Sequence, residues 1–339
     1  MYVIYCVFFI WIVYRIYRYF LEKTKLESIR GRYVLVTGCD SGFGRLLIKR
    51  LLAHGLNVFA GCYTLEGEES LKSECEKLDG QLYTINLDIT SQKSVDTCYD
   101  YVKTILEANE ADLWALVNNA GFCAIYGPND WITSEEYELS IGVNLMGAIR
   151  VTQKFVHLLR KSKGRIVTMI SASGRIHGFY TAPYATAKYG LQGYMDSLRL
   201  ELHPFGVTCH VLEPGGFRTT FVSPEAMDAR VESVWGKLSP EIKEEYGYDF
   251  KENFKESWKK GIELVGSFNL DEVVNAYMHA LTANYPKYRY ICGWDAKLLL
   301  VPLSFLPSFL QDTIIRLLTY LTPGPKFVPA VLRNTKKEL

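Results

Sequence analysis

No charge of either sign predominates in this 339-residue chain, where 38 lysines and arginines stand against 37 aspartates and glutamates for a net charge of +1. That balance leaves no broad field of the kind that gathers nucleic acid or strongly acidic partners, so no nucleic-acid partner is expected. The eight cysteines (Cys6, Cys39, Cys62, Cys75, Cys98, Cys123, Cys209 and Cys292) contain no C-x-x-C pair. The histidines at 54, 157, 177, 203, 210 and 279 form no ligand pattern with them. No metal is expected, and the thiols read as reduced in a domain facing the cytosol. Internal repeats and low-complexity stretches are also missing, and only one apolar run lacks an interruption.

That run is Met1 to Tyr14, followed on one side only by Arg15, Arg18, Lys23 and Lys25. At about 1.5 Å per residue it covers roughly 20 Å of a hydrocarbon layer about 30 Å thick, so a full span also needs Ile16 to Leu21 with both arginines snorkelling. There is no basic segment ahead of the run and no small-residue cleavage site behind it. It therefore reads as a marginal N-terminal membrane anchor rather than a signal peptide, and the one-sided positive charge leaves the rest of the chain on the cytoplasmic side. Near the other end, Leu298 to Leu310 is apolar but broken by Pro302 and Pro307, so it cannot be a continuous span. It reads equally as an interfacial segment, a cover over an apolar substrate, or plain packing. The final Lys336-Lys337-Glu338-Leu339 resembles both a cytosolic dilysine signal and a lumenal K-D-E-L signal. Either reading points to the endoplasmic reticulum membrane.

Between these ends, short apolar runs alternate with amphipathic ones. The runs Tyr33 to Thr37, Val58 to Cys62, Leu82 to Leu87, Leu113 to Val117, Arg165 to Ile170, Val207 to Leu212 and Tyr288 to Cys292 read as strands. Phe43 to His54, Ser91 to Asn109, Ser134 to Lys161 and Tyr184 to His203 read as helices. The predicted fold is α/β, a doubly wound parallel sheet of Rossmann type in a single domain. Its expected layout is anchor and basic flank over 1–25, catalytic domain over 26–295 and apolar tail over 296–339. A charged and aromatic insertion over about 218–266 is expected to hang above the carboxyl ends of the strands.

The first strand runs straight into Thr37-Gly38-Cys39-Asp40-Ser41-Gly42-Phe43-Gly44 and then a helix. Glycines at that turn let the backbone approach a pyrophosphate, which the helix N-terminus then binds. Cys62, at the end of the second strand, is followed by Tyr63 and Thr64, so no acid stands there for the ribose hydroxyls and no cation between Asn57 and Leu65 for a 2′-phosphate. Asp40 would repel such a phosphate, which favours NAD over NADP; Arg45 argues the other way. Asp88 is placed to accept from the adenine amine or, alternatively, to cap the next helix. Tyr184 and Lys188 share one helix face as Y-x-x-x-K, which brings an ammonium beside a phenol, and a nearby cation lowers a phenol's pKa. Ser171 lies 13 residues earlier. Asn144 is an awkward polar residue in an apolar helix, suited to a water linked to Lys188.

Together with Asn118-Asn119-Ala120-Gly121, these motifs over about Arg32 to Cys292 make the chain resemble the short-chain dehydrogenase/reductase family. Glu213 to Thr219 (E-P-G-G-F-R-T) and Gly293 to Lys297 (G-W-D-A-K) are similar in particular to microsomal retinol dehydrogenases and 17β/3α-hydroxysteroid dehydrogenases. The resemblance implies an NAD(P)-dependent alcohol oxidoreductase with Tyr184 as acid/base. It makes Lys188 the residue on the nicotinamide ribose, Ser171 the residue that positions substrate, and Asn144 the holder of a relay water. Gly38, Ser41, Gly42, Phe43, Gly44, Cys62, Asp88, Asn118, Ala120, Gly121, Pro214, Gly215 and Thr219 would line the cofactor. Where close relatives often carry two serines this chain has Ile170-Ser171. The expected substrate is apolar, retinol or a hydroxysteroid, taken up at a membrane, and a homodimer stays open. The alternatives are a small hydroxy acid, since 3-hydroxybutyrate dehydrogenase shares the Val58 to Cys62 run, and a dinucleotide-binding protein without catalysis.

Overall fold

The computed structural model describes residues 2–123, 127–219 and 223–334. Seven strands, β1 (Tyr33–Thr37), β2 (Asn57–Cys62), β3 (Leu82–Asn86), β4 (Leu113–Asn118), β5 (Arg165–Met169), β6 (Thr208–Pro214) and β7 (Arg289–Cys292), form one sheet in the order β3-β2-β1-β4-β5-β6-β7. Every pairing is parallel. The strand ends fall within two residues of those expected, because a strand buried on both faces announces itself as a continuous apolar run. The order reverses between β1 and β4. At such a switch point the loops leave the carboxyl ends in opposite directions and open a crevice.

Side chains alternate across the pleat, so one strand feeds two cores. Val34 and Val36 of β1 pack with Leu47 and Leu51 of α2 (Gly42–Ala53) and, from a later helix, with Tyr277 and Leu281. Tyr33 and Leu35 face the other way, toward Val95 and Val102 of α4 (Gln92–Ala108), with α3 (Leu65–Cys75) lying between the two helices in the chain. On that second face the expected helix over 134–161 is not continuous. It runs as α5 (Ser134–Ile141), one wider π-helical stretch (Gly142–Gly147) and α6 (Ala148–Ser162). Such bulges leave the apolar period nearly unchanged and are therefore silent in sequence, yet they recur at functional sites. Asn144 sits in this one.

After α7 (Ala182–Leu202) and β6, three helices, α8 (Pro224–Lys237), α9 (Pro240–Tyr246) and α10 (Tyr248–Val265), build a separate aromatic cluster around Trp131, Trp235, Phe250 and Phe254. The segment leaves and rejoins the domain through a parallel bridge between Phe217 and Ser267. Then α11 (Asp271–Thr282) covers the sheet, and after β7 a π-helical turn (Ala296–Leu300) and α12 (Val301–Leu303) end before Pro307, where α13 (Ser308–Leu321) begins.

At the amino end, α1 (Tyr2–Glu22) extends through Ile16 to Leu21 and is about 31 Å long. Its aromatic residues Tyr5, Phe8, Phe9, Trp11, Tyr14, Tyr17 and Phe20 are all exposed. Five tyrosines and two arginines dilute the apolar run. Among the described residues no helix is long and apolar enough to cross a membrane.

Candidate active site

The crevice at the switch point is a cavity of about 710 Å³. Its floor is the turn after β1. Gly38 has φ +69°, and a Cβ there would lie 2.6 Å from Ala120 Cα. A Cβ on Gly44 would lie 2.2 Å from the Gly38 carbonyl oxygen. Both positions require glycine so that α2 can start against the sheet, which brings Ser41, Gly42 and Phe43 to the cavity wall at the helix N-terminus. Asn119 locks the turn from the next strand. Its Nδ2 donates to the carbonyls of Thr37 and Gly38 at 3.0 and 2.9 Å, and its Oδ1 accepts from the Tyr277 hydroxyl at 3.1 Å. A cradle that a Cβ would fill, facing a helix N-terminus, fits a dinucleotide pyrophosphate.

Most of the residues expected to hold a dinucleotide meet in this cavity: Gly38, Ser41, Gly42, Phe43, Asp88, Ala120, Gly121, Pro214, Gly215 and Thr219 all line it, as do Ser171, Tyr184 and Lys188. Four named residues do not. Gly44 is packed beneath the turn. Asn118 turns away, its Nδ2 donating to Thr152 Oγ1 at 2.8 Å and tying β4 to α6. Cys62 is fully buried among Cys39, Leu47 and Leu71, since strand alternation points it into the core, and burial pushes its thiol up to about 12. Tyr63 lines the cavity in its place. Asn144 is the fourth. Its Oδ1 accepts from Phe122 N at 3.0 Å, and its Nδ2 donates to Phe122 O at 2.8 Å and Ser140 O at 3.1 Å. These bonds tie the Asn144 side chain to the loop after β4 rather than directly to Lys188. With both amide protons committed, the side chain clamps the loop after β4.

Asp40 holds the end of β2: Oδ2 accepts from Tyr63 N at 2.9 Å, and Oδ1 accepts from Thr64 N and Thr64 Oγ1, both at 2.8 Å. The carboxylate thus stands on the cavity wall beside Tyr63. Arg45, the residue favouring a 2′-phosphate, is spent on Glu74 in a two-pronged pair at 3.1 and 2.7 Å and on the Asp40 carbonyl at 2.9 Å. Asp88 is not the helix cap. That role falls to Ser91, which accepts from Ser94 N, while Asp88 Oδ1 accepts from Thr90 N at 2.8 Å in a local turn.

Tyr184 and Lys188 lie one turn apart near the start of α7, with Lys188 Nζ 5.6 Å from the Tyr184 ring centre and donating to the Met169 carbonyl at 3.2 Å. The Tyr184 hydroxyl is hydrogen-bonded to Ser171, whose Oγ also donates to the Pro214 carbonyl at 3.4 Å and accepts from Ser173 N at 3.1 Å. The three groups form one cluster. Its electrostatics differ from the expectation, however. Burial, with a smaller contribution from the Cys123 thiol, holds the phenol above its usual range, and the Ser171 hydrogen bond only partly offsets this. Burial alone pulls the Lys188 amine down to about 7. Two buried groups, each disfavoured when charged, leave no strong cation to lower the phenol in the protein by itself.

Sequence reasoning passed over Asp295. It comes from the turn after β7, yet it lines the cavity beside Gly215 and Gly216 and is 3% exposed. Its Oδ2 accepts from Gly216 N at 2.7 Å, while Oδ1 is buried without a hydrogen-bond partner, and burial raises its carboxyl pKa. The signal was an acid inside the quoted G-W-D-A-K segment, but nothing local says that it folds back 79 residues. Asp295→Ala leaves the Gly216 N–H unpaired, a loss of about 1–3 kcal/mol. It is expected to raise the dinucleotide dissociation constant about tenfold, with Asp295→Asn recovering most of it, as read by nucleotide fluorescence titration. An unchanged constant for the alanine variant would show that Asp295 does not set this wall.

His177, from the loop after Ser171, pairs at the surface with Asp312 of α13 at 3.0 Å. Among the described residues no cluster could hold a metal ion. The far wall is apolar, with Leu139, Val143, Phe122, Ile262, Val265 and Leu300, and Lys188 is the one cation among the described lining residues.

The family profile described as short chain dehydrogenase matches residues 32–229. A 3beta-hydroxysteroid dehydrogenase of Caenorhabditis elegans is 48% identical over 332 residues, 97% of this chain and 85% of that protein. Human retinol dehydrogenase 16 is 38% identical, covering 92% of this chain and 96% of that one. Among solved structures, a short-chain dehydrogenase/reductase from Burkholderia phymatum in complex with NAD superposes with a TM-score of 0.67 at 19% identity, over 82% of this chain and 94% of that one.

Proposed function

This chain belongs to the short-chain dehydrogenase family and is an alcohol oxidoreductase, and from that premise we propose that it oxidises a lipid-soluble alcohol to its carbonyl with NAD as acceptor. A hydroxysteroid stands ahead of retinol because the relative at 48% identity carries a hydroxysteroid name. The observation that carries the reading is the Ser171–Tyr184–Lys188 cluster opening onto an apolar wall, where Lys188 is the one cation among the described lining residues. A small hydroxy acid would need a cation there for its carboxylate.

In this reading the chain's residues orient the substrate and move its proton. Ser171 Oγ donates to the substrate oxygen, and Tyr184 Oη takes the hydroxyl proton in oxidation or returns it in reduction. A nicotinamide held here would supply the acceptor for the carbinol hydride, and the residues named below would hold it. Gly38, Ser41, Gly42 and Phe43 would hold the pyrophosphate, Asp40 the ribose hydroxyls, Asp88 the adenine, Lys188 the nicotinamide ribose, and Pro214, Gly215 and Thr219 the carboxamide end. The Leu139, Val143 and Leu300 wall excludes water from the reacting carbon.

The direct test is NADH formation by membranes carrying the full chain, with 3α-, 3β- and 17β-hydroxysteroids, all-trans-retinol and 3-hydroxybutyrate in parallel. Turnover confined to lipid alcohols supports the proposal; turnover of hydroxybutyrate alone, or of none, overturns it.

Cofactor choice has its own test. The Asp40 carboxylate opposes a 2′-phosphate, so Asp40→Asn is expected to raise kcat/KM for NADP relative to NAD about tenfold or more. A ratio that stays put would relocate the discrimination.

The same reading places the enzyme at the endoplasmic reticulum membrane with the domain toward the cytosol. It is supported by the exposed apolar and aromatic surface of α1 and the basic residues at its foot. The Lys336 to Leu339 tail lies outside the described residues.

A further inference from the structure

A second cavity, about 570 Å³, lies at the foot of α1 on the side of the domain away from the catalytic cluster's lining residues. Its rim carries four cations, Lys23 and Lys25 just past α1, Arg50 near the end of α2 and Lys287 before β7, against the single lining carboxylate of Glu22. Arg50 is partnered by Asp271 at 2.7 Å and Lys287 by Glu22 at 3.4 Å. Lys23 rests over the Tyr19 ring, 4.2 Å from its centre, and among the described residues neither Lys23 nor Lys25 has a carboxylate in ion-pair range. The floor beneath is apolar, made by Ile29, Met278 and Ala283.

The cavity is built rather than left by a loose helix. Leu26 N donates to Thr282 O and Asn284 N to Thr24 O, both at 2.9 Å, and Asn284 Nδ2 donates to Lys25 O at 3.0 Å. His279 Nε2 donates to the Glu22 carbonyl at 2.7 Å, while its Nδ1 accepts from Tyr290 Oη at the same distance. These bonds weld the root of α1 to the carboxyl end of α11. Burial lowers the His279 pKa, so it adds no fifth charge near neutrality.

A rim of excess cations over an apolar floor suits an amphiphile with an anionic head. Position selects which one. The aromatic surface of α1 is exposed along its length, so if it lies in lipid, the basic turn that follows sits at the depth of the headgroups. We propose that this cavity binds the headgroup of an anionic phospholipid and so fixes the domain's stance on the membrane. The proposal rests on the membrane part of the function proposed above.

The test uses the full chain in flotation with phosphatidylcholine vesicles, with and without phosphatidylserine. Preference for the anionic vesicles is expected, about tenfold in partition, and Lys23→Gln/Lys25→Gln should remove most of it while retaining NADH-forming activity as the sign of an intact fold. A Lys237→Gln/Lys243→Gln variant, with the same charge change on the insertion, should keep the preference. Equal flotation on both vesicles, or equal loss in both variants, overturns the headgroup site while leaving the membrane reading standing. Flotation with neither overturns the membrane reading and the site with it. Inorganic phosphate raising the melting temperature of the detergent-solubilised chain as much as a short-chain phosphatidylserine does would make it a free-anion site and overturn the lipid assignment.

Discussion

Tyr184→Phe is expected to lower kcat by about 10²- to 10⁴-fold, the usual worth of a positioned acid/base, while leaving dinucleotide affinity within about threefold. The substitution removes one oxygen and keeps the ring, and Lys188 keeps its Met169 carbonyl. What is lost is the hydroxyl proposed to take the substrate's proton, together with its hydrogen bond to Ser171. Because burial holds the phenol above its ordinary range, deprotonation grows with pH, so the wild-type kcat/KM for oxidation should climb through the alkaline range. Residual turnover in the phenylalanine variant should lack that climb. Turnover at wild-type rate would remove Tyr184 from the chemistry, and intact kcat with a large rise in KM would make it a substrate-binding group only.

Much of this site was legible because its parts are local. The glycine turn follows a strand and opens a helix within eight residues, and Tyr184 and Lys188 share a helix face by spacing alone. What was not legible depends on folding. Asn144 looked like an awkward polar residue in a helix; the π-helical turn that carries it to Phe122 leaves no mark on the apolar period. Cys62 was named for the end of β2, but one step of strand alternation gives the cavity wall to Tyr63. Arg45 was weighed as a free cation, and only the packing of α2 against α3 reveals that Glu74 consumes it. The greatest distance between pattern and fact is at Lys188, where proximity to Tyr184 is visible in sequence and the depth of burial is not.

That burial leads to the second large effect. A lysine held at about 7 in the folded protein, against 10.5 when solvated, weakens the fold wherever the unfolded chain binds the extra proton. The sign follows from the lowered value. Above about pH 10.5 neither state is protonated and there is no cost; as pH falls toward 7 the unfolded state gains a proton that the folded state resists, and below 7 the cost is at its full size. At neutral pH it is on the order of 4 kcal/mol, from about 1.4 kcal/mol per unit. Lys188→Met keeps the length of the side chain and removes the charge, forfeiting the Met169 hydrogen bond, worth about 1 kcal/mol, and a long contact over the Tyr184 ring. The variant is therefore expected to be inactive and yet to melt higher than the wild type in the absence of nucleotide, by at least about 3 °C near pH 6 and by less near pH 9. With the role proposed for Lys188, this is the trade in which a site keeps a costly group for its chemistry. Thermal unfolding at the two pH values decides the matter. A methionine variant that melts lower at both would mean that Lys188 is comfortable where it sits, held by partners that offset its burial, and the account of an amine poised near neutrality would fall with it.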